Sequence, residues 1–96
     1  MLPTLATEVP KEHVADLHFP NSPVLLSAEH RAALSQKLHK AMVLGNQERG
    51  KCRILFKDDG GMKFVRTTIW SADEERIVLK SGVTIPVARV IDVELI

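Results

Sequence analysis

Lys51-Cys52-Arg53-Ile54-Leu55-Phe56-Lys57-Asp58-Asp59-Gly60-Gly61 is the stretch on which the fold turns. Its first seven residues alternate, with Cys52, Ile54 and Phe56 on one face and Lys51, Arg53 and Lys57 on the other. That is the period of a half-buried β-strand. Residues 58–61 follow as a hairpin turn, because Asp-Gly and Gly-Gly readily supply the positive backbone angles a tight reversal needs. Residues 62–70 are rich in β-formers (Phe64, Val65, Thr67, Thr68, Ile69, Trp70) and long enough to bend across a small barrel. After a polar turn at 71–75, residues 76–80 make a third strand. Ser81-Gly82 connects it tightly to residues 83–85. Pro86 has no N–H to donate, so it ends that strand, and a short turn passes through Ala88-Arg89. Val90–Leu95 alternates again, with Ile91, Val93 and Leu95 on one face.

Upstream of the strands lies a helix over residues 28–44. Ser27 is a good N-cap and Glu29 sits in the first turn, where the helix dipole favours a negative charge. Gly45-Asn46 reads as the stop. Leu34, Leu38, Ala41 and Met42 keep the three/four spacing of one buried stripe. Residues 1–26 hold four of the five prolines, Pro3, Pro10, Pro20 and Pro23, and read as an extended arm. Val14, Leu17, Phe19 and Leu25 make the arm too apolar for a free linker. From about Val14 onward it is expected to pack on something, and its first dozen residues are expected to be mobile. The sequence therefore predicts an α+β chain: an arm over 1–26, then one domain over 27–96. That domain is read as one helix followed by a five-stranded antiparallel small β-barrel.

Residues 53–95 resemble the Sm-like fold, in which an N-terminal helix precedes five strands. The likeness is carried by Ile77-Val78-Leu79-Lys80-Ser81-Gly82, then Ile85-Pro86-Val87, then Val90-Ile91-Asp92-Val93. These are similar to the strand, turn, strand, short corner and closing strand of such barrels. The resemblance is architectural and implies the fold alone. Arg66-Thr67 stand where the bent second strand of that family carries a glycine, and no RNA-contact motif matches residue by residue, so no binding residues carry over.

Composition narrows the functional classes. The 96 residues suffice for one domain, and 45% hydrophobic with 26% charged residues is an ordinary globular balance. One cysteine, Cys52, excludes an internal disulfide framework and suits a reducing, cytoplasmic setting. The N-terminus has neither a basic start nor an apolar run, so no secretory signal is read there. No stretch approaches the roughly 20 apolar residues of a membrane span. The net charge of +1 names no partner, but it divides unevenly along the chain. Residues 1–28 carry −2, residues 29–66 carry +5, and residues 67–96 carry −2.

No catalytic constellation emerges. His13, Asp16 and His18, with Glu12, offer three or four potential metal ligands on an irregular backbone, whereas structural zinc takes four in tetrahedral array. The simpler reading is an ordinary polar arm. His30 and His39 are nine residues apart and fall on opposite helix faces. Cys52 shares the face of Ile54 and Phe56, which makes it a small core residue. An enzyme pairing Cys52 with His39 is retained only to be tested. Asp58-Asp59 and Asp73-Glu74-Glu75 lie in turns, where acidic residues serve turn chemistry and solubility. Gly60-Gly61 has no helix behind it to make a phosphate loop. No cofactor or metal is expected. The chain reads as a non-catalytic interaction or regulatory module.

Two candidate contact surfaces remain. Arg53, Lys57, Lys63 and Arg66 are placed on the outer hairpin face, where they would form a cationic surface. This supports the alternative, an RNA- or DNA-binding barrel, with Trp70 as the one candidate for base stacking. The same cations also suit a solvated sheet face protected by lysines. Val14, Leu17, Phe19 and Leu25 form a candidate dimer arm, exchanged between two copies to give a homodimer. An arm wrapped around its own barrel satisfies the same pattern, and the sequence leaves both open.

Overall fold

The alternating run around Ile54 forms the centre of the structure, a computed structural model that describes residues 6–47 and 50–96. Expectations for residues 1–5, and the charges of Glu48 and Arg49, lie outside the described residues. In chain order the elements are β1 (Thr7–Glu8), α1 (Ala28–Gln47), β2 (Cys52–Asp58), β3 (Gly61–Thr67) and β4 (Ile69–Ala72), then β5 (Arg76–Leu79), β6 (Thr84–Pro86) and β7 (Val90–Leu95). Two 3₁₀ segments, Lys11–Asp16 and Val87–Arg89, complete them. The chain is α+β, with one main helix and two sheets.

The first sheet has the order β1-β3-β2-β7 and the second β4-β5-β6. β2 pairs antiparallel with β3 on one side and with β7 on the other, and Ile54 stands opposite Val65 and Val93. Cys52, Ile54 and Phe56 are buried, as their alternation requires. Leu55 is buried too, on the opposite face, with Phe64 and Asp92 facing it across the two ladders. Gly61 (φ 125°) provides the positive angle at the hairpin and Gly82 (φ 87°) the one after β5. The expected single strand over 62–70 is broken at Thr68, and its two parts belong to different sheets.

Ser27 caps α1 as expected, its Oγ accepting the backbone N–H of His30 at 3.0 Å. Leu34, Leu38 and Ala41 reach the core, and Met42 packs against it. Gly45-Asn46 does not stop the helix, which runs on to Gln47. Gly45 has another role. It is buried against β4, where a methyl group would overlap the carbonyl oxygen of Ile69 and press on Thr68 Cγ2 at 3.0 Å. The missing side chain lets helix and strand approach. At its other end α1 meets β7, where the His30 ring donates from Nε2 to the Ile91 carbonyl at 2.6 Å and Lys37 pairs with Asp92 at 2.9 Å.

The arm is folded onto its own domain, and its described part is ordered earlier than expected. β1 adds to β3 as a short parallel strand, and Glu8 pairs with Arg66 at 2.8 Å. Val9 and Val14 join the main core, Leu17 packs against it, and Phe19 tilts onto Phe56 with ring centroids 5.6 Å apart. Leu25 is the exception, at 91% exposed. Arg89, buried in the 3₁₀ turn before β7, donates from Nε to the Lys57 carbonyl at 2.9 Å and through its terminal nitrogen to the Ser22 carbonyl at 2.6 Å. Among the described residues, no helix is long and apolar enough to cross a membrane.

Gly45→Ala separates the two roles of that glycine. Helix propensity alone would make alanine stabilising by about 1 kcal/mol. The blocked approach to Ile69 predicts instead a loss of about 1–3 kcal/mol, read as a lower midpoint in chemical denaturation.

Candidate functional site

The four cations expected on one hairpin face are divided by the register. Arg53 stands opposite Arg66, so those two share the outer face, but Lys63 stands opposite Phe56, on the core side. There Lys63 forms an ion pair with Asp58, whose side chain is 1% exposed. Arg66 is paired with Glu8, and Arg53 lies 3.9 Å from Glu94, its cross-strand neighbour on β7. Lys57 is exposed and, among the described residues, has no ion-pair partner. The outer face thus carries one unpaired cation out of the four, with carboxylates interleaved. This corrects the shared placement of Lys63 with the others: a strand residue opposite an inward side chain points inward as well.

Asp58 and Lys63 form a structural lock at the hairpin. Burial alone would push the Asp58 carboxyl up, but the Lys63 ammonium and the amides of Gly60 and Gly61 outweigh it and hold the group below the usual 3.8. The folded state therefore keeps Asp58 ionised at lower pH than the unfolded chain does. That contribution is fully present above the unfolded value and is lost as pH falls through the folded one.

The remaining candidates separate in the same way. Cys52 faces the core, its thiol directed at the Thr67 carbonyl at 3.5 Å, and burial pushes it up from 9.0 to about 11. A thiol so placed is protonated at neutral pH and supplies no nucleophilic thiolate. His39 is exposed on α1, lining an open groove with Leu38 and Met42. His18 lies 3.5 Å from Asp59 at the surface. Among the described residues no group of three or more His, Cys, Asp or Glu is close enough to hold a metal ion. Asp73 accepts the backbone N–H groups of Arg76 and Glu75, which lower its carboxyl and fix the turn between β4 and β5.

The fold assembles a different cationic site, one the sequence did not signal. Lys11 from the arm, Lys51 ahead of β2, Arg66 on β3 and Lys80 after β5 line a groove of about 330 Å³ with Thr67, Thr68 and Ser81. Among the described residues, no carboxylate is in that lining. Glu8 reaches Arg66 from beside it, which leaves three cations without an ion pair among the described residues. The break at Thr68 creates this meeting place. There the Thr68 carbonyl accepts the Lys80 N–H at 3.0 Å, joining the end of β5 to the crossing between sheets. The four cations come from separate segments, so no local motif marks them.

Comparison with protein-family models, with curated proteins and with solved structures finds no match to the chain.

Two measurements check this geometry. The stability gap between the wild type and Asp58→Asn should be widest at neutral pH and close as pH falls below about 4. At pH 8 a thiol reagent should label Cys52 only as fast as the protein unfolds, and rapid labelling of the native state would contradict the buried placement.

Proposed function

We propose that the protein is a non-catalytic interaction module that docks the phosphate backbone of a nucleic acid in the groove lined by Lys11, Lys51, Arg66 and Lys80. The observation that carries the proposal is the convergence of these four cations, from four segments, on one groove whose lining, among the described residues, contains no carboxylate. Phosphate oxygens are accepted by such a set without base recognition, because the attraction is electrostatic and releases counterions. The hydroxyl groups of Thr67, Thr68 and Ser81 in the same lining suit hydrogen bonds to phosphate oxygens. The outer hairpin face is a weaker candidate, because among the described residues it keeps one cation without an ion pair, Lys57, whereas the groove keeps three, Lys11, Lys51 and Lys80.

The five-stranded, Sm-like barrel belongs to the same proposal. What supports it is the order helix, β2, β3 running into β4, β5, β6, 3₁₀ turn and β7, with β7 returning to pair with β2. Arm exchange between copies is not part of the proposal, because Val14, Leu17 and Phe19 are engaged in the chain's own core.

Fluorescence anisotropy of a labelled oligonucleotide across a salt series tests the groove. Engaging three or four cations predicts a slope of log affinity on log salt of about −2 to −3 for a single strand. Lys51→Glu with Lys80→Glu should weaken binding at least tenfold, while Lys57→Glu on the outer hairpin face should change it less than twofold. Absence of binding at low salt, or a Lys57→Glu loss as large as the groove variant's, would overturn the proposal.

A further inference from the structure

The cationic groove does not end at Thr68 and Lys80. Both residues also line a second cavity of about 330 Å³, completed by Gly45, Asn46 and Trp70. Trp70 is the only tryptophan in the chain, and half of its surface is exposed. Its exposure has a cause in the backbone. Ile69 pairs with Leu79 and Ser71 with Val78, so Trp70 is the extra residue of a β-bulge and sits outside the ladder. Bulges of this kind re-aim one side chain while the strand continues. The one aromatic pair among the described residues is Phe19 with Phe56, which leaves the indole face without an aromatic neighbour.

We infer that this cavity seats an unpaired aromatic base of a nucleotide whose phosphates lie in the adjoining cationic groove. The indole offers a stacking surface for any base, since every base has a π-face. The Asn46 side chain beside it has both a donor and an acceptor for a base edge. Gly45 lends the cavity no side chain, and the same absence admits α1 against β4. Lys80, common to both cavities, stands where base and phosphate of one nucleotide would meet. A base in a duplex is stacked and paired and cannot enter, so the site selects unpaired nucleotides. The inference rests on the proposed phosphate groove and specifies the ligand that groove receives.

Because Trp70 is the sole tryptophan, its fluorescence reports on the seat directly. The protein is titrated with a single-stranded oligonucleotide, a duplex of equal phosphate number, inorganic polyphosphate and a nucleoside monophosphate. The single strand should quench Trp70. Trp70→Ala should weaken single-strand binding by about five- to hundredfold, with Trp70→Phe restoring much of it. Binding of duplex and polyphosphate should be unchanged by either variant. Quenching by the monophosphate at a comparable midpoint would assign the seat to free nucleotides, and quenching by the oligonucleotide alone would assign it to a chain. If single strand and polyphosphate both bind, the groove variant weakens both, and Trp70 is neither quenched nor needed, the seat is overturned while the groove stands. If none of the four binds, both are overturned.

Discussion

The approach of Gly45 to the Ile69 carbonyl sets the position of nearly everything else. α1 packs against β4, which belongs to the second sheet, and against β7, which belongs to the first. One helix thus spans the two sheets, and its distance from β4 is limited by what stands at residue 45. With no side chain there, Leu34, Leu38 and Ala41 sink into the core while the His30 and Lys37 contacts hold the far end on β7. The crossing at Thr68, where the chain passes from one sheet to the other, lies beneath the same contact. Both cavities lined by Thr68 therefore owe their shape to a packing constraint of the fold.

The arm is a second structural dependence, held mainly by backbone groups. Arg89 is a buried cation whose two hydrogen bonds go to main-chain carbonyls, one on the arm and one at the end of β2. Guanidinium loses its charge in almost no protein environment, so it can remain buried only where acceptors are fixed in place. Ser22 and Lys57 provide them. The Val24 amide adds a bond to the Ala88 carbonyl, and the Asp59 amide one to the His18 carbonyl. Lys11 takes its place in the groove because Val9 and Val14, on either side of it, are anchored in the core.

How far the sequence revealed this depends on how local each signal was. Alternation around Ile54, the Asp-Gly-Gly turn and the Leu34–Leu38–Ala41 stripe are short-range patterns, and each corresponds to an element of the structure. Gly45 misled because a glycine that ends a helix and a glycine that admits a neighbouring strand are identical in sequence. Lys63 misled because the face of a residue beyond a turn depends on the register, here fixed by Asp58 pairing with Gly61. Arg89 and the groove gave no signal at all. A buried arginine satisfied by carbonyls has no characteristic neighbours, and Lys11, Lys51, Arg66 and Lys80 are brought together only by the tertiary fold. Trp70 stood out by its rarity, while the bulge that exposes it became visible only with the pairing of β4 and β5.

β1 is two residues long, yet it occupies the outer edge of β3 beside Lys63 and Phe64. An open strand edge presents unpaired amides and carbonyls to any other extended chain, and sheets protect such edges with short strands and charge. Thr7 and Glu8 provide both, with Glu8 held in place by Arg66. The opening residues of the described chain thus act as a guard rail for the central sheet. Clipping them would bare the β3 edge beside Phe64 and offer it as a template for intermolecular pairing.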